Sequence, residues 1–259
     1  MNIFAIHDSP YLAARDQHDR HVIKMTLETA QLLSTAVWHQ PWIRNLWSTC
    51  HRFDIRPDWD HVESGSLRLY RSISNPGHAS AVWTRASRAN LAWTICHLDG
   101  LISEYSRRFG KVHACETIRI SFLPVLAALA DVDRVWIRNE ERKLIVHPDI
   151  LALADSHDAF AVCMPDIYKS SDPIDSYRTF YLEEKIFQSN VKWTKCESIP
   201  AFIADIADPD TIASDRIRAR VIDLLRHHAI QSAPAPIREV AKPFVPTGMG
   251  VPAFLRRPA

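Results

Sequence analysis

The chain has 259 residues, of which 47% are apolar and 24% charged, and its formal net charge is +1. This length predicts one large or two small globular domains, and the near-neutral total gives no support by itself to nucleic-acid binding. Only 6 residues are glycine, and neither G-x-G-x-x-G nor G-x-x-x-x-G-K-[ST] occurs. Dinucleotide and P-loop nucleotide binding therefore have no support in the sequence.

Several other classes of protein are also disfavoured. No apolar run reaches the roughly 18 residues that span a membrane, and the first residues lack the basic region and apolar core of a signal peptide. The five cysteines are widely spaced without C-x-x-C, and no H-E-x-x-H occurs. We therefore expect a cytoplasmic protein with reduced thiols, no membrane partner, no metal and no cofactor.

Helical patterns dominate the chain. Ser9 and Pro10 predict a helix start, and the first helix is expected to run into the second. Gly110 is expected to end a long helix that starts after the turn at Asn75-Pro76-Gly77. The predicted helical segments are 10–17, 19–38, 79–109, 117–129, 148–154, 174–187, 199–206 and 214–228.

Other stretches do not fit a helix. Residues 39–62 predict a long loop with short helical turns, and 135–146 fit either a hairpin or an irregular excursion. From residue 232 the chain is rich in proline and basic, so it is disordered or strapped along the surface. The predicted fold is mainly α: a single irregular helical domain over 1–231 with a Pro-rich extended tail over 232–259.

One stretch of the second helix carries the main functional signal. His21, Lys24 and Glu28 are three and then four residues apart, which places them on one helix face. A carboxylate, an imidazole and an ammonium in one row can stabilise a cation, move a proton and hold a phosphate. The alternative is an exposed Lys24–Glu28 pair, worth roughly 0.2–0.5 kcal/mol, beside a packed histidine.

Three sequence blocks after an extended Met-Asn-Ile-Phe start resemble a phage and bacterial family, over about residues 1–195. The first, D-[KR]-H-V-x-K-M-x-x-E-x-A-Q-x-L, lies at 19–33. The others are W-x-R-x-S-x-x-N-x-x-W and M-P-D-x-Y-K-x-x-D-x-x-x-S-Y-R-x-[FY]-Y. Their matching residues are Trp83, Arg85, Ser87, Asn90, Trp93, Met164, Pro165, Asp166, Tyr168, Lys169, Asp172, Ser176, Tyr177, Arg178 and Tyr181.

The first block also resembles the active-site helix of pyrimidine-dimer DNA glycosylases of the endonuclease V type, in which a catalytic Glu follows a His by seven residues. The resemblance implies that Glu28 is catalytic, that His21 and Lys24 assist it, and that the partner is double-stranded DNA with modified bases. The expected substrate and DNA contacts are Asp19, Trp83, Arg85, Asn90, Lys169, Tyr177, Arg178 and Tyr181. For Arg85 and Asn90 a buried brace between helices is an equal alternative, and for Tyr177 and Tyr181 the alternative is core packing.

The dimer glycosylases attack with an α-amine that Met removal exposes, whereas residue 2 here is Asn, whose bulk usually prevents that removal. We therefore expect a monofunctional glycosylase that uses water and excises a modified pyrimidine from phage DNA, as in an antiphage glycosylase that removes glucosylated hydroxymethylcytosine. Other relatives are thymidine-hypermodification proteins, so a transferase that joins an amine or amino acid to an activated thymine is the first alternative. A non-catalytic DNA-binding module is the second.

Overall fold

A computed structural model describes residues 2–56, 59, 61–65 and 67–231, of which 58% are helical and 5% lie in strands. The predicted mainly α fold is confirmed, while the predicted tail over 232–259 lies outside the described residues. The helices and strands are α1 (Pro10–Asp16), α2 (Asp19–His39), α3 (Pro41–His51), β1 (Val62–Ser64), β2 (Leu67–Leu69), α4 (Ala79–Ala86), α5 (Arg88–Phe109), α6 (Glu116–Leu129), β3 (Trp136–Arg138), β4 (Leu144–Val146), α7 (Pro148–Asp155), α8 (Pro173–Phe180), α9 (Ala201–Ala204) and α10 (Asp215–Gln231).

The start of the chain is an extended segment buried under the helices. Ile3, Ala5 and Ile6 are fully buried, so their backbone groups need partners inside the protein. Arg178 Nε donates to the Ile6 carbonyl at 3.0 Å, and Trp93 Nε1 donates to the carbonyl of Asp8 at 2.6 Å. Side chains therefore tie this segment in place without a sheet.

The first two helices begin at well-defined caps. The Ser9 side chain accepts from the Leu12 N–H and Pro10 occupies the first turn, as predicted. The predicted continuation into α2 is wrong, because Gln17 is extended and His18 caps α2 instead. Asp19 then donates its N–H to the Lys192 carbonyl at 2.9 Å, which fixes the start of α2 against a distant part of the chain.

Two predicted elements differ from the structure. Residues 41–51 form the regular helix α3 rather than a loop with short turns, because Pro41 starts it and Ile43 and Trp47, one turn apart, are both buried. The long helix predicted over 79–109 is two helices, since Ser87 is extended and caps α5. Gly110 ends α5 in the left-handed conformation (φ 64°), as predicted.

The helix α5 forms the centre of the fold, with α1, α2 and α7 packed around it. Its residues from Ala89 to Ile102 are buried on every side. A Cβ on Gly100 would lie only 3.0 Å from the Ala14 Cβ, so glycine allows α1 to approach closely there. This packing holds α1 and α2 in a fixed relation.

The remaining elements lie around this centre. The strands pair as two antiparallel hairpins, β1 with β2 and β3 with β4, and the second realises the hairpin option predicted over 135–146. The helix predicted over 174–187 is α8 followed by a π-helical turn over Tyr181–Lys185. In the part of the chain that the structure describes, no helix has the length and apolar character that crossing a membrane requires.

Candidate functional site

Glu28 lies on the exposed side of α2 but is itself mostly covered. Its side chain is 15% exposed, whereas that of its ion-pair partner Lys24 is 68% exposed. Lys24 Nζ lies 3.3 Å from Glu28 Oε1, and the main-chain N–H of Asn2 donates to Glu28 Oε2 at 2.9 Å. Glu28 therefore has one fixed partner and one that can move into solvent, which leaves the carboxylate able to face a ligand.

Asn2 is a rigid partner for the acid because its own side chain is fully engaged. Its Oδ1 accepts from the N–H groups of Ile3 and Phe4 at 2.8 and 3.1 Å, and its Nδ2 donates to the Cys163 carbonyl at 2.8 Å. Phe4 has a φ of 43°, a strained conformation for an aromatic residue. This local turn directs the Asn2 N–H at Glu28.

A second lysine lies near Lys24. Lys185 Nζ is 4.0 Å from the ring centroid of Phe180 and 5.8 Å from that of Phe4. Burial lowers the pKa of Lys185, Glu184 opposes that shift, and the charge of Lys24 adds to it. Among the described residues Lys185 has no carboxylate within ion-pair distance. Two neighbouring ammonium groups, one without an acidic partner, suit a phosphate.

His21 shares the helix face of Lys24 and Glu28 but is buried. Its ring packs 4.5 Å from that of Phe4 and 4.3 Å from that of His18. Burial lowers the pKa of His21 well below 6.5, and the neighbouring His18 and basic groups add to that effect. The predicted row of three groups is therefore split by the packing: Glu28 and Lys24 are together, while a neutral His21 lies under Phe4.

Asp19, predicted as a DNA contact, is a buried structural residue. Its Oδ1 accepts from the Thr194 N–H at 3.0 Å and lies 3.2 Å from Arg108 NH1, and its Oδ2 accepts from the Thr194 hydroxyl at 2.5 Å. Both members of the Asp19–Arg108 ion pair are buried. Because every oxygen is directed inward, Asp19 stabilises the start of α2 and does not reach the surface.

The second block joins helices to a neighbouring loop. Asn90 is fully buried, and its Nδ2 donates to the carbonyl of Trp83 at 2.9 Å and to Asp158 Oδ2 at 3.0 Å, while its Oδ1 accepts from the Asp158 N–H. The Trp83 indole donates to the Ala159 carbonyl at 2.9 Å. Arg85 donates to the Pro76 carbonyl at 2.7 Å. This is the brace between helices, and of Trp83, Arg85 and Asn90 only Arg85 retains surface exposure.

The third block mostly holds the core together. Tyr177 and Tyr181 are fully buried. The Tyr177 hydroxyl donates to the Ala161 carbonyl, and that of Tyr181 accepts from the His18 N–H, both at close range. Arg178 holds the start of the chain through Ile6. Lys169 is the exposed member, paired with Asp166 at 2.7 Å. The two tyrosines therefore pack in the core and cannot stack on bases.

The sequence interpretation missed two residues near Glu28, Asn2 and His78. Asn2 is 26 residues away along the chain, so no local pattern links it to Glu28. Lys185 was not missed, because it lies four residues after Tyr181 and this helical spacing suggests a contact with the DNA backbone. His78 caps α4, and its Nδ1 accepts from the Ser80 N–H at 3.2 Å. Burial lowers the pKa of His78, and the Glu28 carboxylate opposes that shift.

The arrangement offers a particular chemistry. A partly covered carboxylate can stabilise a developing positive charge or orient a water molecule. The lysines beside it can hold an anion. Within the described ranges no group of three or more His, Cys, Asp or Glu side chains is placed to hold a metal ion.

The chain was compared with protein-family models, with curated proteins and with solved structures, and no match was found in any of the three.

Proposed function

We propose that this protein is a monofunctional DNA glycosylase that removes a modified pyrimidine from double-stranded DNA and leaves an abasic site. The observation that carries the proposal is the position of Glu28, whose carboxylate accepts from the Asn2 N–H and pairs with the exposed Lys24. The resemblance of the first block to the dimer glycosylases supports the same role for this acid. The resemblance to an antiphage DNA glycosylase supports phage DNA as the substrate and antiviral defence as the biological role.

The reaction breaks the bond between C1′ of the sugar and the base nitrogen. Positive charge develops on the sugar in an oxocarbenium-like transition state, and the electron pair leaves with the base. The Glu28 carboxylate stabilises the charge on the sugar and accepts a proton from the water that attacks C1′, while the departing base anion takes up a proton from solvent. Lys24 leaves Glu28 and binds the adjacent phosphate.

The target nucleotide has to leave the duplex before its C1′ can meet Glu28, at a cost of a few kcal/mol. Lys24, which pairs with Glu28, and Lys185, which interacts electrostatically with Lys24, supply positive charge near the acid. Phosphate contacts of this kind position the backbone without reading the sequence. The identity of the excised base is then decided by the surface that receives the flipped base.

The test is base release by Glu28→Gln compared with the parent protein. Glu141→Gln is the matched control, because Glu141 also pairs with a lysine on the surface, Lys143. Each protein is incubated with genomic DNAs of phages that carry different base modifications, and alkali-labile sites are scored. We expect Glu28→Gln to lose about 10²–10⁴-fold in rate and Glu141→Gln to behave as the parent does. Equal rates for parent and Glu28→Gln would remove Glu28 from the mechanism.

Two further readouts separate the mechanisms. A chain processed to begin at Asn2 would carry an α-amine at the atom that now donates to Glu28, and borohydride would then trap a covalent protein–DNA adduct. No trapping together with base release supports water as the nucleophile. Mass spectrometry of the product separates the transferase, which would add an amine to the base and release none.

A further inference from the structure

Two aliphatic side chains lie exposed on α2 beside the proposed catalytic acid. Ile23 is 46% exposed and Leu27 is 43% exposed, one helical turn apart. The face that packs on α5 is fully buried at Val22 and Met25, so the core does not need the exposed pair. Because the two side chains are adjacent on the helix surface, they form a contiguous apolar patch, which is the kind of feature that marks a contact with a ligand or a partner.

The exposed aliphatic surface continues onto the segment between α5 and α6. Burial lowers the pKa of His113, and a hydrogen bond to the Ile23 main chain opposes that shift, which places this segment against α2. Val112, the neighbour of His113, is 60% exposed. Ile23, Leu27 and Val112 are called the aliphatic ridge below.

The charges around the ridge favour a polyanion as its occupant. Arg20 and Lys24 lie on the outer face of α2 next to Ile23 and Leu27, and both are exposed. Glu28 is the one acidic residue on the exposed side of α2 as described, and Lys24 and Asn2 engage it. Aliphatic side chains bordered by cations match a nucleic acid, which presents stacked bases between two rows of phosphates.

The size of the ridge points the same way. A stable protein interface buries about 800 Å² on each partner, and three half-exposed aliphatic side chains offer much less than that. Proteins that open a DNA duplex, by contrast, insert one or two apolar side chains between neighbouring base pairs. The two members of the ridge that lie on α2, Ile23 and Leu27, fit that task in number.

We propose that Ile23 and Leu27 form a wedge that enters the base stack beside the target nucleotide and keeps it open while the nucleotide is turned toward Glu28. The inference rests on the proposed glycosylase function and names how its substrate is opened. Leu27 and Glu28 are consecutive in α2, so the wedge and the acid act on adjacent nucleotides. Lys24, between the two, then lies at the phosphate that joins them.

The test uses a duplex that carries a stable abasic analogue with 2-aminopurine as its neighbour, because this probe does not depend on the identity of the excised base. 2-Aminopurine becomes brighter when it loses its stacking partner. The parent protein is expected to raise the fluorescence, and Ile23→Ser/Leu27→Ser to lose most of that rise and about tenfold or more of kcat/KM. The dependence of DNA affinity on salt should persist, since Arg20 and Lys24 remain.

Two controls keep the test decisive. Ile145→Ser removes an exposed isoleucine from the β3–β4 hairpin and should behave as the parent. Ile23→Leu/Leu27→Met keeps aliphatic volume and should retain the fluorescence rise, which separates a wedge from a disturbed helix. An equal rise for the serine variant would overturn the proposal.

The remaining outcomes separate this inference from the proposed function. If the parent protein unstacks the probe but releases no base, the wedge stands and the glycosylase function is refuted. If the parent and the serine variant release bases at the same rate, only the wedge is refuted. If the serine variant still unstacks the probe but no longer forms dimers in sedimentation, the ridge is an interface with a second copy of the chain. If it still unstacks the probe but no longer binds anionic vesicles, the ridge contacts a lipid surface. Either result would also overturn the inference.

Discussion

The main-chain N–H of Asn2 donates a 2.9 Å hydrogen bond to Oε2 of Glu28, across 26 residues of sequence. The bond joins the buried start of the chain to the middle of α2, and it orients one carboxylate oxygen while Lys24 pairs with the other. A fixed carboxylate loses little entropy when a substrate arrives. Several measurable consequences depend on this contact and on the packing beneath it.

Asn2→Leu should lower the rate of base release, because it keeps the main-chain N–H but removes the side-chain bonds to Ile3, Phe4 and Cys163 that aim it. We expect about a tenfold fall in kcat, equivalent to about 1.4 kcal/mol in the barrier. KM should change little, since Asn2 is buried away from any DNA backbone. Steady-state kinetics on a DNA that the parent cleaves would check this, and a change confined to KM would contradict it.

Lys24→Gln should weaken DNA binding without abolishing it. One fewer cation at the phosphates should lower the slope of log K against log salt by about one, because Lys24 is 68% exposed and its carboxylate partner does not hold it firmly. Fluorescence anisotropy at several salt concentrations measures this slope. Lys143→Gln is the matched control, because Lys143 also forms an exposed pair with a glutamate, and it should leave the slope unchanged.

Arg108→Met should destabilise the fold strongly. The buried Arg108 guanidinium contacts Asp19 and Glu104 and donates to the carbonyls of Gln17 and Arg15. Its loss leaves the buried Asp19 carboxylate without a counter-charge, at a cost of about 3–5 kcal/mol. Urea unfolding measures the loss.

Lys169→Gln is the comparison for Arg108→Met. The Lys169–Asp166 pair lies on the surface, where solvent screens it, and we expect no measurable change in the unfolding midpoint. Equal midpoints for Arg108→Met and Lys169→Gln would show that the ion pair beneath α2 is not needed for the fold.

Acid should destabilise the protein through three buried histidines. Burial is the main reason that the pKa of His18 is lowered to about 3 and that of His97 to about 4, and it is also the main reason that the pKa of His21 is lowered. Since these pKa values lie below the 6.5 of an unfolded chain, the unfolded state binds more protons below pH 6.5. The folded state therefore has its full stability above pH 6.5, and it loses stability as the pH falls toward the pKa values that the histidines have in the folded protein.

At pH 5 the loss amounts to about 2 kcal/mol for His18 and about the same for His97, and the lowered pKa of His21 acts in the same direction. Urea unfolding at pH 8, 7, 6 and 5 should therefore give similar free energies at the two highest values and a steep fall below pH 6.5. A free energy of unfolding that is the same at pH 5 and at pH 7 would show that the three rings are not buried and neutral.

Many of the helices could be predicted from the sequence, because their signals are local. Ser9 with Pro10, and Gly110 after Phe109, mark helix ends through backbone geometry that neighbouring residues alone decide. The split at Ser87 and the regular helix α3 were predicted wrongly. At Ser87 the extended backbone and the side chain that accepts from the Asn90 N–H make a cap that interrupts the helix. In α3 the burial of Ile43 and Trp47 stabilises a segment whose composition suggests a loop.

At the candidate site, residue spacing was enough to predict that His21, Lys24 and Glu28 share one face of α2, since helical periodicity follows from the backbone. The packing of the folded chain is what places Phe4 over His21, brings Asn2 to Glu28, and turns Asn90 and the two tyrosines toward the core. Each of these relations joins residues far apart in the chain. Such contacts depend on how the helices pack around α5, and spacing along one segment carries no information about that packing.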